Sequence, residues 1–396
     1  MANSSHYDAA VIGLGLIGAG ALRHLSLLDP AASVGGIGPG EPDDFARHDG
    51  VFAEHYDAGR ITRRLDRRYE WALLASRAID QYASIEATSG IAFHRPVGLV
   101  IAERDQARIA QLVEVAARLD IEYRVGSTET SPTPDPRLCF GDGSTLLHEP
   151  GPAGHIDPRR MIRAQLRCAE LNGARIERQQ ARSIAPESDG GWRVDLANGD
   201  HLVADRVIVA AGPHSDEISG LPRRPNLRVH AETVVMAHVG PDEQRRLAGL
   251  PSGMSRIDHA NYSGFYFVPP TDYPDGSVRL KLGATSTRPT WLNTASARRT
   301  WMRGDDHAAE LPALRALVEG VVPGITVDRW ETKPCMITET ATGLPYLEHL
   351  ADGLVIAAGG NGYAAKSADA IGALAAGLLT TGQWLDPDLA EADFRM

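Results

Sequence analysis

The first thirty residues pass from an apolar run through a glycine-rich stretch into a second apolar run. Residues 7–12 are mostly apolar and predict a buried strand. Gly13, Gly15 and Gly18 follow directly, and residues 19–28 carry apolar side chains at helical spacing. A strand, a Gly-x-Gly-x-x-Gly turn and a helix in this order are typical of a site that binds the pyrophosphate of a dinucleotide at the helix N-terminus. We therefore predict a cofactor that contains ADP.

The second strand of this unit lacks its usual last residue. Residues 32–38 predict that strand, which ends at Gly38, although an acid normally stands there and binds the adenosine ribose. Glu41, Asp43 and Asp44 come shortly afterwards and could replace it, but charged loop side chains usually face water. The N-terminal region alone therefore leaves the type of dinucleotide open.

The remaining chain alternates between helical and strand patterns. Helical spacing occurs in residues 60–85, 104–119, 159–172, 288–317 and 367–380. Strand patterns occur in residues 98–102, 173–176, 191–196, 201–212, 229–239, 264–268, 277–283 and 353–359, while residues 127–151 predict a loop. Two apolar runs, at residues 206–211 and 353–358, lead to Gly212 and Gly359, as expected of buried strands that lead into turns facing a cofactor.

Composition and charge exclude several classes of protein. The chain has 396 residues, 43% hydrophobic and 23% charged, which suits a globular protein with two domains. A net charge of −11 argues against nucleic-acid binding. No apolar stretch approaches the ~20 residues that a membrane helix needs, and no targeting pattern precedes the first strand, so we expect a cytoplasmic protein without membrane association. The three cysteines show no disulfide or metal-site spacing, and we expect no metal.

Four landmarks stand in a definite order along the chain: the glycine turn, the strand ending at Gly212, Lys281 on a late strand, and residues 356–362. This order resembles the D-amino-acid oxidase superfamily of FAD enzymes, and within it the branch of monomeric sarcosine oxidase and N-methyltryptophan oxidase. The resemblance implies a mixed α/β (α+β) fold, with a Rossmann-like FAD domain and a substrate domain on a large mixed or antiparallel sheet. The implied FAD domain comprises residues 1–90, 151–225 and 326–396, and the substrate domain residues 91–150 and 226–325.

The resemblance also implies which residues hold FAD. Residues 333–338 resemble the family segment whose cysteine is bonded to the flavin, so Cys335 is the candidate for a covalent thioether link. The alternative is a buried free cysteine, which is common in protein interiors. The implied cofactor-binding residues, besides Cys335, are Gly13, Gly15, Ile17, Gly18, Arg60, Gly212, Gly359, Gly360, Asn361, Gly362 and Lys366.

Five side chains correspond to the family's catalytic residues. Lys281 matches a lysine that faces the flavin, where a cation assists the reaction with dioxygen; the alternative is an exposed strand lysine. Arg60 would lie against the flavin ring. Arg63 and Lys366 would bind a substrate carboxylate, through a guanidinium fork and a point charge. Tyr266 would line the substrate cavity, although a tyrosine in a strand is as often a core residue.

These residues predict an FAD-dependent amine oxidase that acts on an amino or imino acid, and a secondary amine is the expected substrate. Hydride would pass from the carbon next to nitrogen to the flavin, leaving an imine, and dioxygen would become hydrogen peroxide. The expected partners are a small substrate with a carboxylate and dioxygen, and the resemblance implies a monomer. Three alternatives stay open: a dehydrogenase with another electron acceptor, an oxidase of a cyclic imino acid in a biosynthetic pathway, and a non-catalytic nucleotide-binding regulatory module. Thr285 and His214 stand where close relatives carry histidine and tryptophan, which leaves the individual substrate open.

Overall fold

Two large β-sheets organise the chain in a computed structural model, which describes residues 5–128 and 135–396. The strands are β1 (Ser5–Ile12), β2 (Val34–Ile37), β3 (Arg60–Thr62), β4 (His94–Arg95), β5 (Leu99–Glu103), β6 (Arg124–Ser127), β7 (Thr145–Glu149), β8 (Gly154–Ile156), β9 (Arg175–Glu177), β10 (Ala181–Pro186), β11 (Trp192–Leu196), β12 (His201–Val209), β13 (Arg228–His238), β14 (Ser252–Arg256), β15 (Tyr262–Asp272), β16 (Val278–Ser286), β17 (Arg329–Glu339), β18 (Tyr346–Ala351) and β19 (Leu354–Ala358). The helices are α1 (Leu16–Leu28), α2 (Tyr69–Ser89), α3 (Gln106–Arg118), α4 (Pro158–Leu171), α5 (Pro241–Arg246), α6 (Ala295–Arg303), α7 (Leu311–Val321) and α8 (Ala364–Thr381). Short 3-10 helices span Gly212–Glu217, Asp306–Glu310 and Glu391–Phe394.

The first sheet has the order β10-β11-β12-β1-β2-β9. Its centre is parallel, because β1 pairs with both β12 and β2 in that sense. The first half of β12 pairs with β11, whereas residues 207–209 pair with β19, which in turn pairs with β18. The carboxyl ends of β1, β2, β12 and β19 therefore meet at one edge, where open parallel sheets bind their ligands.

Helix α1 packs tightly against α8, with α4 on another side. Small residues make this approach possible: a Cβ added to Gly372 of α8 would lie 2.5 Å from the backbone nitrogen of Ala21. Helix α4 begins as predicted, with Pro158 in its first turn and the Asp157 side chain accepting a hydrogen bond of 2.9 Å from the backbone nitrogen of Arg160. The core beneath these helices holds Leu22, Leu74 and other buried apolar side chains.

The second sheet has the order β17-β13-β16-β15-β14-β5-β7-β6 and is antiparallel except between β14 and β5. One face of it packs against α7 through a core that includes Val235, Leu282 and Leu314. Because side chains alternate along a strand, Lys281 points to the opposite face from Leu282. That opposite face carries two of the catalytic candidates, Lys281 and Tyr266. A third, small sheet has the order β3-β8-β4.

The predicted mixed fold with a large, mainly antiparallel second sheet is confirmed. Two local predictions were wrong. The helix expected from residue 60 begins at Tyr69, because residues 60–62 pair with β8 instead. The loop expected at residues 127–151 contains β7, which pairs with β5, and part of that loop lies outside the described residues. The boundaries of the two predicted domains stay a prediction.

Candidate functional site

A cavity of about 680 Å³ opens at the carboxyl ends of the parallel strands in the first sheet. Six of the predicted cofactor-binding residues line it: Gly13, Gly15, Ile17, Gly212, Gly359 and Gly360. The glycines come from the segments directly after β1, β12 and β19, and Ile17 lies in the first turn of α1. The topology thus brings together glycines that are separated by more than three hundred positions in the chain.

The glycine turn has the shape that a pyrophosphate requires. Gly13 has a φ of +96°, and a Cβ there would lie 2.4 Å from the carbonyl oxygen of Ala210. A Cβ on Gly18 would lie 1.8 Å from the carbonyl oxygen of Gly13, so helix and turn touch. By contrast, within the part of the chain that the structure describes, a Cβ on Gly15 would have only the His55 ring within 4 Å, at 3.8 Å. Among the described residues no side chain caps the first turn of α1, which leaves its N–H groups available to an anion.

Steric crowding explains why a glycine and not an acid stands at the end of β2. A Cβ on Gly38 would lie 2.9 Å from the backbone nitrogen of Leu14, so position 38 has no room for a carboxylate. Glu41 lines the same cavity and accepts hydrogen bonds of 2.7 and 2.5 Å from Arg159. Asp43 and Asp44 are not part of the cavity lining. Among the replacements suggested by the sequence, Glu41 is therefore the one with the right location.

Four predicted residues form one cluster beside the cavity. The Nη2 atom of Arg60 donates to Cys335 Sγ at 3.3 Å, and its Nη1 atom donates to the Tyr266 hydroxyl at 3.4 Å. The ammonium of Lys281 lies 5.3 Å from the centre of the Tyr266 ring. We call Arg60, Lys281, Tyr266 and Cys335, together with Asp57, the reaction cluster.

Asp57 holds this cluster together. Its carboxylate accepts a hydrogen bond from Lys281 Nζ, and another of 2.9 Å from the Tyr273 hydroxyl. The Lys281 side chain is 0% exposed, and it also donates to the carbonyl of Gly59 at 2.7 Å. Burial works to raise the pKa of Asp57, but Lys281 and Arg60 hold it well below its usual value. Burial and Arg60 lower the pKa of Lys281 to about 8 against the opposing pull of Asp57.

Glu54 connects the reaction cluster to the cavity. Its side chain lines the cavity, its Oε1 atom accepts from Thr338 at 2.9 Å, and its carbonyl accepts from Arg60 Nη2 at 2.8 Å. Burial raises the pKa of the Glu54 carboxyl. The five residues of the cluster do not line the cavity themselves, and Glu54 therefore links the two.

Arg63 and Lys366 also meet, as predicted from opposite ends of the chain. Both contact the Oδ2 atom of Asp66, Arg63 Nη1 at 2.7 Å and Lys366 Nζ at 3.2 Å. Lys366 further donates to the carbonyl of Trp71 at 3.0 Å. Arg63 Nε lies 3.3 Å from the sulfur of Met254, a residue of β14 whose strand partner is Tyr266. This second group therefore borders the reaction cluster.

Asn361 and Gly362 shape the last turn rather than lining the cavity. The Asn361 side chain accepts from the backbone nitrogen of Thr340 at 2.9 Å and donates to the carbonyl of Gly359 at 2.9 Å. Both Asn361 (φ 49°) and Gly362 (φ 76°) have left-handed backbone conformations. The turn after β19 is thus fastened to the end of β17, the strand that carries Cys335.

Three acidic residues of the site were not predicted from the sequence: Glu54, Asp57 and Asp66. For Asp57 and Asp66 the available signal was spacing, since Asp57 stands three residues before Arg60 and Asp66 stands three residues after Arg63. A fourth acid, Glu232, is the direct strand partner of Cys335 in β13 and β17. Burial and Glu310 raise the pKa of Glu232 to about 8, and its Oε2 atom has no hydrogen-bond partner within the described residues.

Comparison with known proteins supports a flavin in this cavity. A model of the family "FAD dependent oxidoreductase" matches residues 8–378. Monomeric sarcosine oxidase from Bacillus sp. (strain B-0618) is 23% identical over 96% of this chain and 94% of its own length. The glycine turn, the uncapped α1 and the adjoining cavity also suit FAD on structural grounds alone.

Solved structures show the same fold. NikD, an unusual amino acid oxidase essential for nikkomycin biosynthesis, superposes with a TM-score of 0.77 at 15% identity, covering 99% of this chain and 98% of its own. Glycine oxidase from Geobacillus kaustophilus gives a TM-score of 0.73 at 19% identity, with 99% and 98% covered. Throughout residues 5–128 and 135–396, every helix is too short or too polar to span a bilayer. Because the family model matches nearly the whole sequence, the chain belongs to the FAD dependent oxidoreductases.

Proposed function

We propose that the protein is an oxidase of amino or imino acids, that it attacks a secondary amine, and that dioxygen is its electron acceptor. The observation that carries this proposal is the pair of adjoining cationic groups, one around Asp57 and one around Asp66, next to the FAD cavity. When bound, FAD accepts hydride from the carbon next to nitrogen. The chain's own side chains bind and orient the substrate and supply charge.

Arg63 and Lys366 are suited to hold the substrate carboxylate. Asp66 neutralises one of their two charges, so the three side chains together keep one positive charge, which matches one carboxylate. A guanidinium offers directed hydrogen bonds, whereas an ammonium acts as a point charge. A carboxylate fixed here would direct the neighbouring carbon and amine of the substrate toward Tyr266 and the reaction cluster.

Lys281 supports an oxidase rather than a dehydrogenase. A buried cation beside the flavin stabilises negative charge that develops on dioxygen during its reduction. Since the pKa of Lys281 is lowered to about 8, the ammonium form dominates below that pH and is lost above it. We therefore expect the reaction with dioxygen to slow as the pH rises past about 8.

Arg60 and Cys335 support a covalent flavin. A thiol reacts as its thiolate, and a neighbouring cation stabilises that form. Arg60 Nη2 lies 3.3 Å from Cys335 Sγ, and the guanidinium is charged at any ordinary pH. The thioether assigned to Cys335 by the family resemblance would therefore form beside a fixed positive charge.

Replacement of Cys335 by alanine is expected to leave a protein that still binds flavin but loses it completely on acid precipitation. The reason is that only a covalent bond survives denaturation. The measurement is the absorbance of the washed precipitate near the flavin maximum. Cys168→Ala, at another buried cysteine, is the control and should retain its colour. A coloured C335A precipitate would place the link at a different residue.

Peroxide release tests the function directly. Sarcosine, other N-methyl amino acids and cyclic amino acids are supplied in air, each beside its amide, and hydrogen peroxide is measured. We expect peroxide from an acid and at least about tenfold less from its amide, since the amide cannot pair with Arg63 and Lys366. Bleaching of the flavin without peroxide would favour a dehydrogenase, and no bleaching by any of these compounds would refute the proposed substrate class.

A further inference from the structure

One carboxylate oxygen serves both cations of the carboxylate-binding pair. Asp66 Oδ2 lies 2.7 Å from Arg63 Nη1 and 3.2 Å from Lys366 Nζ. All three side chains are at most 8% exposed. Asp66 comes from the segment between β3 and α2, whereas Lys366 stands in the first turn of α8, so the shared oxygen joins two distant parts of the chain.

Among the described residues, no other nearby carboxylate contacts both cations directly. Glu149 interacts electrostatically with both Arg63 and Lys366, but its two oxygens accept hydrogen bonds from the backbone nitrogens of Arg64 and Leu65, at 2.8 and 2.9 Å. Burial raises the pKa of Glu149, which weakens it further as a counter-ion. Within the described residues, Asp66 is therefore the carboxylate that directly contacts both cations.

We propose that Asp66 is a positioning residue for substrate binding, because its Oδ2 atom holds the Arg63 guanidinium and the Lys366 ammonium side by side so that their remaining donors converge on one substrate carboxylate. This inference rests on the proposed function and narrows its substrate class. The group carries one net positive charge, so it suits amino acids with a single carboxylate next to the amine.

Asp66 also maintains the charge of Lys366. Burial and Arg63 lower the pKa of Lys366 to about 8, while Asp66 and Glu149 act in the opposite direction. The Tyr363 ring also faces the ammonium, 5.7 Å from its centre. For a lysine, a lowered pKa means that the positive charge is present below about pH 8 and lost above it. Without the Asp66 carboxylate, Lys366 would lose its proton at a lower pH.

The test measures binding without turnover. Propionate, a monocarboxylate that has no amine to oxidise, is titrated into the flavin-loaded enzyme from pH 6 to 10, and binding is followed by the change in flavin absorbance. Propionamide is the uncharged control. For the wild type we expect propionate binding to weaken as the pH rises past about 8, because Lys366 loses its charge there. Propionamide binding should be weak and independent of pH.

Three variants show which side chains cause the pH dependence of propionate binding. Asp66→Asn should weaken propionate binding at pH 7 by about tenfold or more, and it should move the inflection to lower pH. Asp66→Glu keeps the carboxylate and should restore the inflection near the wild-type pH. Lys366→Arg, whose side chain does not titrate in this range, should remove the inflection. Flavin content and the unfolding temperature show whether each variant is folded.

The possible results distinguish a failure of the proposed function from a failure of the role of Asp66 alone. Wild-type enzyme that binds propionate no better than propionamide would refute the carboxylate anchor, and with it the proposed function. Wild-type enzyme that binds propionate as expected, with D66N sharing its affinity and its inflection, would refute the role of Asp66 alone. A wild-type inflection that persists in K366R would also overturn the role of Asp66, because the titrating group would then be another residue. If D66N fails to fold, a D66E variant that lacks the inflection refutes the proposal and one that keeps it supports it.

Discussion

Replacement of Lys281 by methionine is expected to slow the reaction of the reduced enzyme with dioxygen by about 10² to 10³-fold, the usual loss when one preorganised electrostatic group is removed. Methionine has a similar length but no charge, so the negative charge developing on dioxygen would lose a buried cation. Reduction by substrate should change much less. Anaerobic stopped-flow mixing measures the two half-reactions separately.

Two controls isolate this effect. Removal of Lys281 leaves Asp57 without its closest partner, and breaking a buried ion pair typically costs about 3 to 5 kcal/mol of stability. The double variant K281M/D57N should recover stability but not the rate with dioxygen. Lys333→Met, on strand β17, which β13 separates from the strand of Lys281, should leave that rate unchanged, because the Lys333 side chain is 41% exposed. Equal slowing of both half-reactions in K281M would remove the assigned oxygen role.

Substitution of Gly18 by alanine is expected to abolish tight FAD binding and to destabilise the apoprotein by about 1 to 3 kcal/mol, the typical cost of overpacking a well-packed interior. The added Cβ would lie 1.8 Å from the carbonyl oxygen of Gly13, so α1 would have to move away from the turn. Flavin stoichiometry after purification and urea unfolding of the apoprotein measure the two effects.

Gly377→Ala is the matched control for this substitution. Gly377 also lies in a helix, α8, but a Cβ there meets none of the described residues within 4 Å. Because alanine favours helix by about 1 kcal/mol over glycine, G377A should keep its flavin and gain slight stability. A G18A protein that holds FAD as firmly as G377A would contradict the assignment of this turn.

The sequence predicted best what depends on neighbouring residues. The strand, turn and helix around Gly13 and Gly18 are local, so their pattern was sufficient. Strand β17 was missed because Pro334 stands in its interior and many of its side chains are half-buried, which gives no clear alternation. The short strand β3 was missed as well, because it exists through pairing with β8 nearly a hundred residues later.

The ion pairs of the site could not be predicted either, because pairs such as Lys281 and Asp57 join distant parts of the sequence. Lys281 and Asp57 are separated by 224 positions, and nothing in their local sequence marks them as partners. The family resemblance indicated that Arg63 and Lys366 bind a substrate carboxylate, but it did not indicate that Asp66 lies between them. Likewise, the glycine at position 38 was visible as a departure, whereas its cause, the backbone of Leu14, required the fold.

The contact between α1 and α8 has a consequence for the order of biosynthesis. The helix that begins at the glycine turn is made within the first thirty residues, but its packing partner, β19 and Lys366 follow only after residue 353. A ribosome-bound chain therefore cannot complete the nucleotide pocket until translation is almost finished. Flavin capture must be a late event, and premature termination between residue 353 and the end of α8 at Thr381 should yield colourless protein.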